Sequence, residues 1–113
     1  MIKIYHNNRC RKSREGLEIL ENSGKDFEVI KYLEDVPSEK ELKEIIELLD
    51  IKPIELVRKN ESIWKTDYKG KILTDSEVID AMIKNPKLIE RPIVVNDSKA
   101  VIGRPPELIK TIL

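Results

Sequence analysis

Residues 1–24 decide the fold of this chain, and they read MIKIYHNNRCRKSREGLEILENSG. Residues 2–5 alternate weakly between apolar and polar, and a polar cluster follows them. This pattern is typical of a short strand followed by a loop. A helix pattern with three-and-four apolar spacing follows, and Gly24 suits the left-handed position that ends a helix. The stretch therefore predicts a strand, a loop and a helix, with Cys10 at the N-terminus of that helix.

A second strand is predicted over residues 27–33, and the middle of the chain after it is predicted to be helical. Residues 38–41 (SEKE) and 74–77 (TDSE) each form a capping box, in which a hydroxyl and a glutamate satisfy free N–H groups at a helix start. Pro53 can open a short helix between these two helices, and the dipeptide at 85–86 (NP) ends the last of them.

The C-terminal part predicts a hairpin and a final helix. The β-rich runs at 93–95 and 100–102 are separated by polar turn residues at 96–99, which is a hairpin pattern. A final helix is predicted to begin at the two prolines at 105–106. The element order predicts an α/β fold: a small mixed sheet covered by helices, with the first two strands parallel and the hairpin antiparallel.

Composition limits the classes of function. The chain has 113 residues, 40% hydrophobic and 37% charged, with 21 basic residues balancing 21 acidic ones. This balance argues against a protein whose main task is to neutralise nucleic-acid phosphates. No apolar run approaches the roughly 18 to 20 residues that span a bilayer, and the run at residues 1–5 (MIKIY) is too short for the hydrophobic region of a signal peptide. We expect one domain over residues 1–113 in the cytoplasm, with neither nucleic acid nor membrane as a partner.

Cys10 is the only cysteine, so the chain can form neither an internal disulfide nor a multi-thiolate metal site. A helix N-terminus favours the thiolate through its free N–H groups and dipole. The same donors can cradle an oxyanion beside the sulfur. Cys10 is therefore predicted to be nucleophilic, and the alternative is a small core residue beside a solvated basic face. The cations that surround the thiol in the sequence, which are expected to favour the thiolate as well, are Arg9, Arg11, Lys12 and Arg14.

His6 and Ser13 flank the loop that carries Cys10. Either side chain could donate a hydrogen bond to the thiolate. Each also has a purely structural interpretation, because an imidazole at a strand end often binds backbone and Ser13 can support the first turn of the helix.

The hairpin register brings two arginines together. With the turn centred on residues 97–98, Arg91 lies opposite Arg104, and like charges facing each other destabilise a sheet unless an anion lies between them. Guanidinium groups bind tetrahedral oxyanions through paired N–H donors, so the pair predicts an anion site. The alternative is that Glu90 and Glu107 neutralise the two arginines.

The sequence pattern says less about two further residues, a proline and an arginine. Pro92 lies just before an apolar strand and is a candidate for a cis peptide bond. Arg58, at the end of the short helix that Pro53 opens, is by pattern alone an ordinary surface cation.

Four stretches together resemble the glutaredoxin-dependent arsenate reductases of the ArsC type. The likeness runs in order along essentially the whole chain. It implies a thioredoxin-like fold with a helical insertion at about residues 38–86. The stretches are residues 6–14 (HNNRCRKSR), 56–60 (LVRKN), 90–95 (ERPIVV) and 102–107 (IGRPPE).

The resemblance also implies a role for particular residues. Cys10 would be the nucleophile, and Pro92 would be the cis proline of the fold. His6 and Ser13 would help to hold the thiolate. The residues that would bind the oxyanion are Arg58, Arg91 and Arg104.

The reaction that the resemblance implies needs no bound cofactor. The Cys10 thiolate attacks arsenic(V) and hydroxide leaves, which gives a covalent adduct. Glutathione, as co-substrate, then attacks, and glutaredoxin completes the reduction to arsenite. Because the chain has no second thiol, the electrons must come from outside.

Three positions depart from the family pattern. Asn8 stands where proline is common, and Arg11 replaces a small residue. Gly16 is expected to loosen the first helix by roughly 1 kcal/mol relative to alanine.

Two alternative functions stay open. In the first, the same thiol acts on another substrate, either a different oxyanion or a mixed disulfide. In the second, the chain binds RNA polymerase, as Spx-type regulators do.

Overall fold

A four-stranded mixed sheet lies at the centre of the computed structural model, which describes all 113 residues. Strand β1 (Ile2–Tyr5) pairs in parallel with β2 (Phe27–Ile30) and antiparallel with β3 (Ile93–Asn96). Strand β3 pairs antiparallel with β4 (Lys99–Ile102), so the strand order is β2-β1-β3-β4. The predicted mixed α/β sheet, with a parallel first pair and an antiparallel hairpin, is confirmed.

The chain divides into two compact units, and the first contains the sheet. This unit comprises Met1–Asp35 and Arg91–Leu113. Helix α1 (Arg11–Ser23) packs against a 3₁₀ helix at Pro106–Ile112. Apolar side chains from the sheet and these two helices form one buried cluster, made of Ile2, Ile4, Leu20, Val94, Ile109 and Ile112.

The second unit, Val36–Glu90, is helical. It contains helices α2 (Glu39–Leu49), α3 (Ser62–Asp67) and α4 (Asp75–Lys84). Helix α4 packs against α2 and against two short 3₁₀ helices, Pro53–Leu56 and Pro86–Leu88. This unit covers the stretch, about residues 38–86, for which the resemblance implies a helical insertion. None of the chain's helices has both the length and the apolar character needed to cross a membrane.

Side-chain caps fix the starts of the two long helices of this unit. The Ser38 hydroxyl accepts from the Glu41 backbone N–H at 3.1 Å. The box at α4 is reciprocal, because Thr74 Oγ1 accepts from the Glu77 N–H at 3.2 Å while the Glu77 carboxylate accepts from the Thr74 N–H at 3.0 Å. Such caps satisfy N–H groups that have no partner within the helix.

Three elements differ from the prediction. Strand β2 ends at Ile30 rather than at residue 33, because its partner β1 ends at the Tyr5–Ile30 pair and the chain then turns. The final helix is 3₁₀ rather than α-helical, and its first bond runs from Leu108 N–H to Pro105 O at 3.1 Å. Helix α3, which buries Trp64, was not predicted from the sequence pattern.

Candidate active site

Hydrogen bonds to its backbone groups hold the loop between β1 and α1. The His6 N–H donates to Ile30 O at 2.8 Å, which carries the β1–β2 pairing one residue beyond the strand. Asn7 Oδ1 accepts from the Arg9 N–H at 2.9 Å, and the Cys10 N–H donates to Asn7 O at 3.1 Å. These bonds turn the chain so that Cys10 occupies the N-cap position of α1, with φ −95° and ψ 120°. The predicted position of Cys10 at the helix N-terminus is confirmed.

The Cys10 thiol is 7% exposed and lies in polar surroundings. Its sulfur is 3.6 Å from Nη2 of Arg104, which is a hydrogen-bond contact for sulfur. Burial raises the pKa of the thiol, but the Ser13 backbone N–H and the guanidinium groups of Arg91 and Arg104 outweigh it, and the pKa falls below its ordinary value. The site therefore favours the thiolate, the nucleophilic form of cysteine.

Three of the four cations next to Cys10 in the sequence have side chains that contact groups other than its sulfur. Arg11 Nε lies 3.2 Å from the Glu15 carboxylate, and Lys12 Nζ lies 3.8 Å from the same carboxylate. Arg14 Nη1 donates to Asn8 O at 2.9 Å. The arginines that contact or act on the sulfur come from the far end of the chain instead, so the expectation that local cations stabilise the thiolate is corrected.

Ser13 is fully buried and acts on the thiol through its main chain. Its hydroxyl lies 2.7 Å from Nδ1 of His6 and accepts from the Asn7 N–H at 3.0 Å. Direct donation from the His6 and Ser13 side chains to the thiolate was one expectation from the sequence. The structure instead uses both side chains to fix the loop, and the Ser13 backbone N–H supports the sulfur of Cys10.

His6 is 4% exposed, and burial holds the pKa of its imidazole below the ordinary value. Hydrogen bonds to Asn8 and Ser13 raise that pKa by less than burial lowers it, and the nearby cations Lys31 and Arg14 lower it further. The ring is therefore neutral at pH 7, and it holds the loop through hydrogen bonds rather than by charge.

Arg91 and Arg104 come together at the open end of the hairpin, beyond the last strand pair. The Gly103 N–H donates to Pro92 O at 2.8 Å, and Arg104 Nε donates to Arg91 O at 2.8 Å. Arg91 is 8% exposed, and its buried Nε and Nη1 atoms have no hydrogen-bond partner within the protein. Buried guanidinium donors beside the Cys10 sulfur can bind the oxygens of an anion that the thiolate attacks.

Pro92 packs unusually close to two glycines. The Arg91–Pro92 peptide bond is cis, and so is the Arg104–Pro105 bond, which the sequence pattern did not indicate. A Cβ atom at Gly16 would lie 3.0 Å from Pro92 Cγ, and one at Gly103 would lie 2.9 Å from it. Glycine therefore lets α1 and the hairpin approach the proline. The interpretation of Gly16 as a residue that only loosens the helix was incomplete.

We expect Gly16→Ala to destabilise the protein despite the better helix propensity of alanine. The added Cβ would lie 2.9 Å from Ile109 Cδ1 as well as 3.0 Å from the Pro92 ring. Overpacking typically lowers the free energy of unfolding by about 1–3 kcal/mol, whereas the better helix propensity of alanine raises it by about 1 kcal/mol. Urea unfolding measures the net change, and Glu18→Ala on the exposed side of α1 is the control. A Gly16→Ala variant at least as stable as the native chain would show that the close approach is not needed.

Arg58 belongs to the second unit and is bound by two carboxylates. Its Nη1 lies 2.7 Å from Oε1 of Glu61, and its Nε lies 3.6 Å from Oε1 of Glu90. Its backbone N–H donates to Leu88 O at 2.7 Å, and its side chain is only 19% exposed. Arg58 is therefore a fixed and largely buried cation rather than an ordinary surface one. Glu90, considered from the sequence as a partner for the hairpin arginines, contacts Arg58.

The sequence contained a local signal for only one of these ion pairs. Glu61 is three residues from Arg58, a spacing at which side chains often meet. Glu90 is distant in sequence, and the pairing depends on the bridge between Val57 and Ile89. The chain contains no cluster of three or more His, Cys, Asp or Glu side chains suited to a metal ion.

Comparison with known proteins gives one consistent result. The sequence model of the ArsC family matches residues 5–112. The uncharacterized protein YfgD of Escherichia coli (strain K12) is 43% identical over 99% of this chain and 96% of its own length. An arsenate reductase of Neisseria meningitidis serogroup A is 39% identical over 99% of this chain and 97% of its own. The solved arsenate reductase of Vibrio cholerae superposes with a TM-score of 0.94 at 46% identity, covering 99% of this chain and 97% of that one.

Proposed function

The chain belongs to the ArsC family of thioredoxin-like fold, and from this premise we propose that it is a thiol-dependent arsenate reductase with Cys10 as nucleophile. One observation carries the assignment. The Cys10 sulfur lies at the start of α1, 3.6 Å from Arg104, and Arg91 has buried donors that no protein group uses. The relatives named arsenate reductase support arsenate as the substrate, and none of these relatives favours polymerase binding.

The first step joins the substrate to the enzyme. The Cys10 thiolate attacks arsenic(V), an S–As bond forms, and one As–O bond breaks with departure of hydroxide. Arsenate is an anion at neutral pH and repels a thiolate. Arg91 and Arg104 offset this repulsion by binding the arsenate oxygens, and they stabilise the charge that develops on those oxygens in the transition state.

The electrons come from two external thiols. Arsenic acid and two glutathione molecules give arsenous acid, glutathione disulfide and water, so arsenic gains the two electrons that the thiols lose. Because Cys10 is the only thiol of this chain, no internal disulfide can resolve the adduct. We propose glutathione as the co-substrate and glutaredoxin as the partner that completes the reduction. The enzyme itself needs no bound cofactor for these steps.

Arg58 enters this proposal through the family resemblance of residues 56–60. We expect Arg58→Ala to raise the KM for arsenate by about tenfold, the effect of losing one charge-assisted hydrogen bond. Steady-state kinetics over a range of arsenate concentrations measure this change. The exposed Lys59→Ala variant is the control for loss of one positive charge in the same segment. An unchanged KM in Arg58→Ala would remove Arg58 from the oxyanion site.

A coupled assay tests the function as a whole. NADPH oxidation is followed with arsenate, glutathione, glutaredoxin and glutathione reductase, and each component is left out in turn. We expect saturable turnover that requires arsenate, glutathione and glutaredoxin together. Turnover without glutaredoxin would contradict the proposed partner. No turnover in the full mixture would contradict arsenate reduction.

A further inference from the structure

Arg58 faces two carboxylates inside the second unit, so its positive charge is more than neutralised before any substrate binds. Glu61 Oε1 lies 2.7 Å from Nη1 of Arg58, and Glu90 Oε1 lies 3.6 Å from its Nε. All three side chains are at most 25% exposed. We call these three residues the Arg58 cluster. Its charges raise the question of how a guanidinium that is already paired binds an anion.

The backbone fixes Arg58 and Glu90 relative to each other. The Arg58 N–H donates to Leu88 O at 2.7 Å, and the Glu90 N–H donates to Leu56 O at 2.8 Å. These two bonds lie on either side of an antiparallel bridge. The Oε1 atom of Glu90 is itself buried. Glu90 is therefore a fixed partner, and its carboxylate positions Nε of Arg58.

The Glu61 carboxylate is held less firmly. Glu61 is the N-cap residue of α3, and its side chain makes no capping hydrogen bond. Its carboxylate accepts from Nη1 of Arg58, a contact between two side chains that are three residues apart. Rotation of the Glu61 side chain to another staggered conformation therefore releases Nη1 without breaking a backbone hydrogen bond of the fold.

A carboxylate and a tetrahedral oxyanion compete for the same guanidinium donors. Both present oxygens that accept paired N–H bonds from the planar arginine fork. An oxyanion that binds Nη1 of Arg58 must displace the Glu61 carboxylate, because two negative groups at hydrogen-bond distance from one nitrogen repel each other. The free energy of the Arg58–Glu61 contact is therefore lost from the free energy of anion binding.

We propose that Glu61 is a displaceable competitor that sets the affinity and the selectivity of Arg58 for anions; this inference rests on the proposed function, in which Arg58 binds the oxyanion. Without substrate the Glu61 carboxylate occupies Nη1, and Glu90 keeps Nε in place. Arsenate displaces Glu61 because it has several acceptor oxygens and up to two negative charges. A singly charged anion such as nitrate competes poorly with the Glu61 carboxylate, so Arg58 stays available to arsenate.

Glu61→Gln tests the proposal in steady-state kinetics, because glutamine keeps an oxygen acceptor but removes the competing charge. We expect the KM for arsenate to fall by about three- to tenfold, the effect of weakening one charge-assisted contact, and the change to appear in KM rather than in kcat. The inhibition constant of nitrate should fall as well. Asp67→Asn removes the exposed carboxylate of the last residue of α3 and should leave both constants unchanged.

Binding without turnover provides a second readout that does not depend on the reaction. In the ¹⁵N-labelled Cys10→Ser protein, an arsenate titration followed on the Arg58 Nε–H signal measures the Kd at this guanidinium. Addition of Glu61→Gln should lower this Kd by the same factor of about three to ten, since the same contact is weakened. Addition of Asp67→Asn should not lower it.

The outcomes separate this inference from the proposed function. An equal or higher KM and Kd in Glu61→Gln would overturn the role of Glu61 and leave arsenate reduction intact. A Glu61→Gln effect that persists in full when Arg58→Ala is added would also overturn it, and so would the absence of any arsenate-dependent shift at Arg58. A lower Kd at Arg58 in a protein without reductase activity would support the competitor and contradict the proposed reaction.

Discussion

Cys10→Ser is expected to lower arsenate turnover by at least about a thousandfold, the scale seen when a covalent nucleophile is removed. Serine at this position cannot replace the thiol, because a hydroxyl is hardly ionised near neutral pH. Arg91 and Arg104 would still bind arsenate, but no adduct could form. The coupled NADPH assay measures the loss.

The same substitution should leave the fold intact. Cys10 is the N-cap of α1, and its side chain makes no capping hydrogen bond. Serine is among the preferred N-cap residues, so the variant should unfold at the same or a slightly higher urea concentration. A folded Cys10→Ser protein that kept comparable reductase activity would show that another group is the nucleophile.

The second large effect is expected at Arg91. Its guanidinium lowers the pKa of the Cys10 thiol, so Arg91→Ala should raise that pKa and reduce the thiolate fraction at a given pH. The variant also loses buried donors for the oxyanion. Together these losses should lower kcat/KM for arsenate by about ten- to a hundredfold, the scale of one or two charge-assisted hydrogen bonds.

The rate of Cys10 alkylation by iodoacetamide, followed against pH, separates these two effects. In Arg91→Ala the profile should move to higher pH, since the thiol then loses its proton at a higher pH. Arg11→Ala is a matched control: it removes an arginine next to Cys10 in sequence whose side chain contacts Glu15. Equal profiles for the native chain, Arg91→Ala and Arg11→Ala would refute the stabilisation of the thiolate by Arg91.

Features set by local patterns were predicted from the sequence. The strand, loop and helix around Cys10 follow from apolar spacing and from Gly24, whose φ of 73° lies in the left-handed region. The hairpin register also follows from local residues, and the structure pairs Val95 with Ala100 and Ile93 with Ile102. Extending that register outward along the two strands is enough to predict that Arg91 and Arg104 meet.

Features set by contacts between distant residues were not predicted. The sequence suggested that Arg11 and its neighbours stabilise the thiolate, but helix geometry directs Arg11 toward Glu15, four residues along. The need for glycine at position 16 comes from Pro92 and Ile109, which only the tertiary fold brings to α1. The carboxylate of Glu90 likewise contacts Arg58 only because the bridge between Val57 and Ile89 brings distant parts of the sequence together.

The arsenic product itself provides the most direct test of arsenate reduction by Cys10. Arsenate is incubated with the native chain, glutathione and glutaredoxin, and arsenate and arsenite are separated by liquid chromatography and quantified by mass spectrometry. We predict arsenite formation that saturates with arsenate and disappears in Cys10→Ser. Unchanged arsenate in the presence of a folded protein with a reactive Cys10 thiol would contradict the proposed reaction.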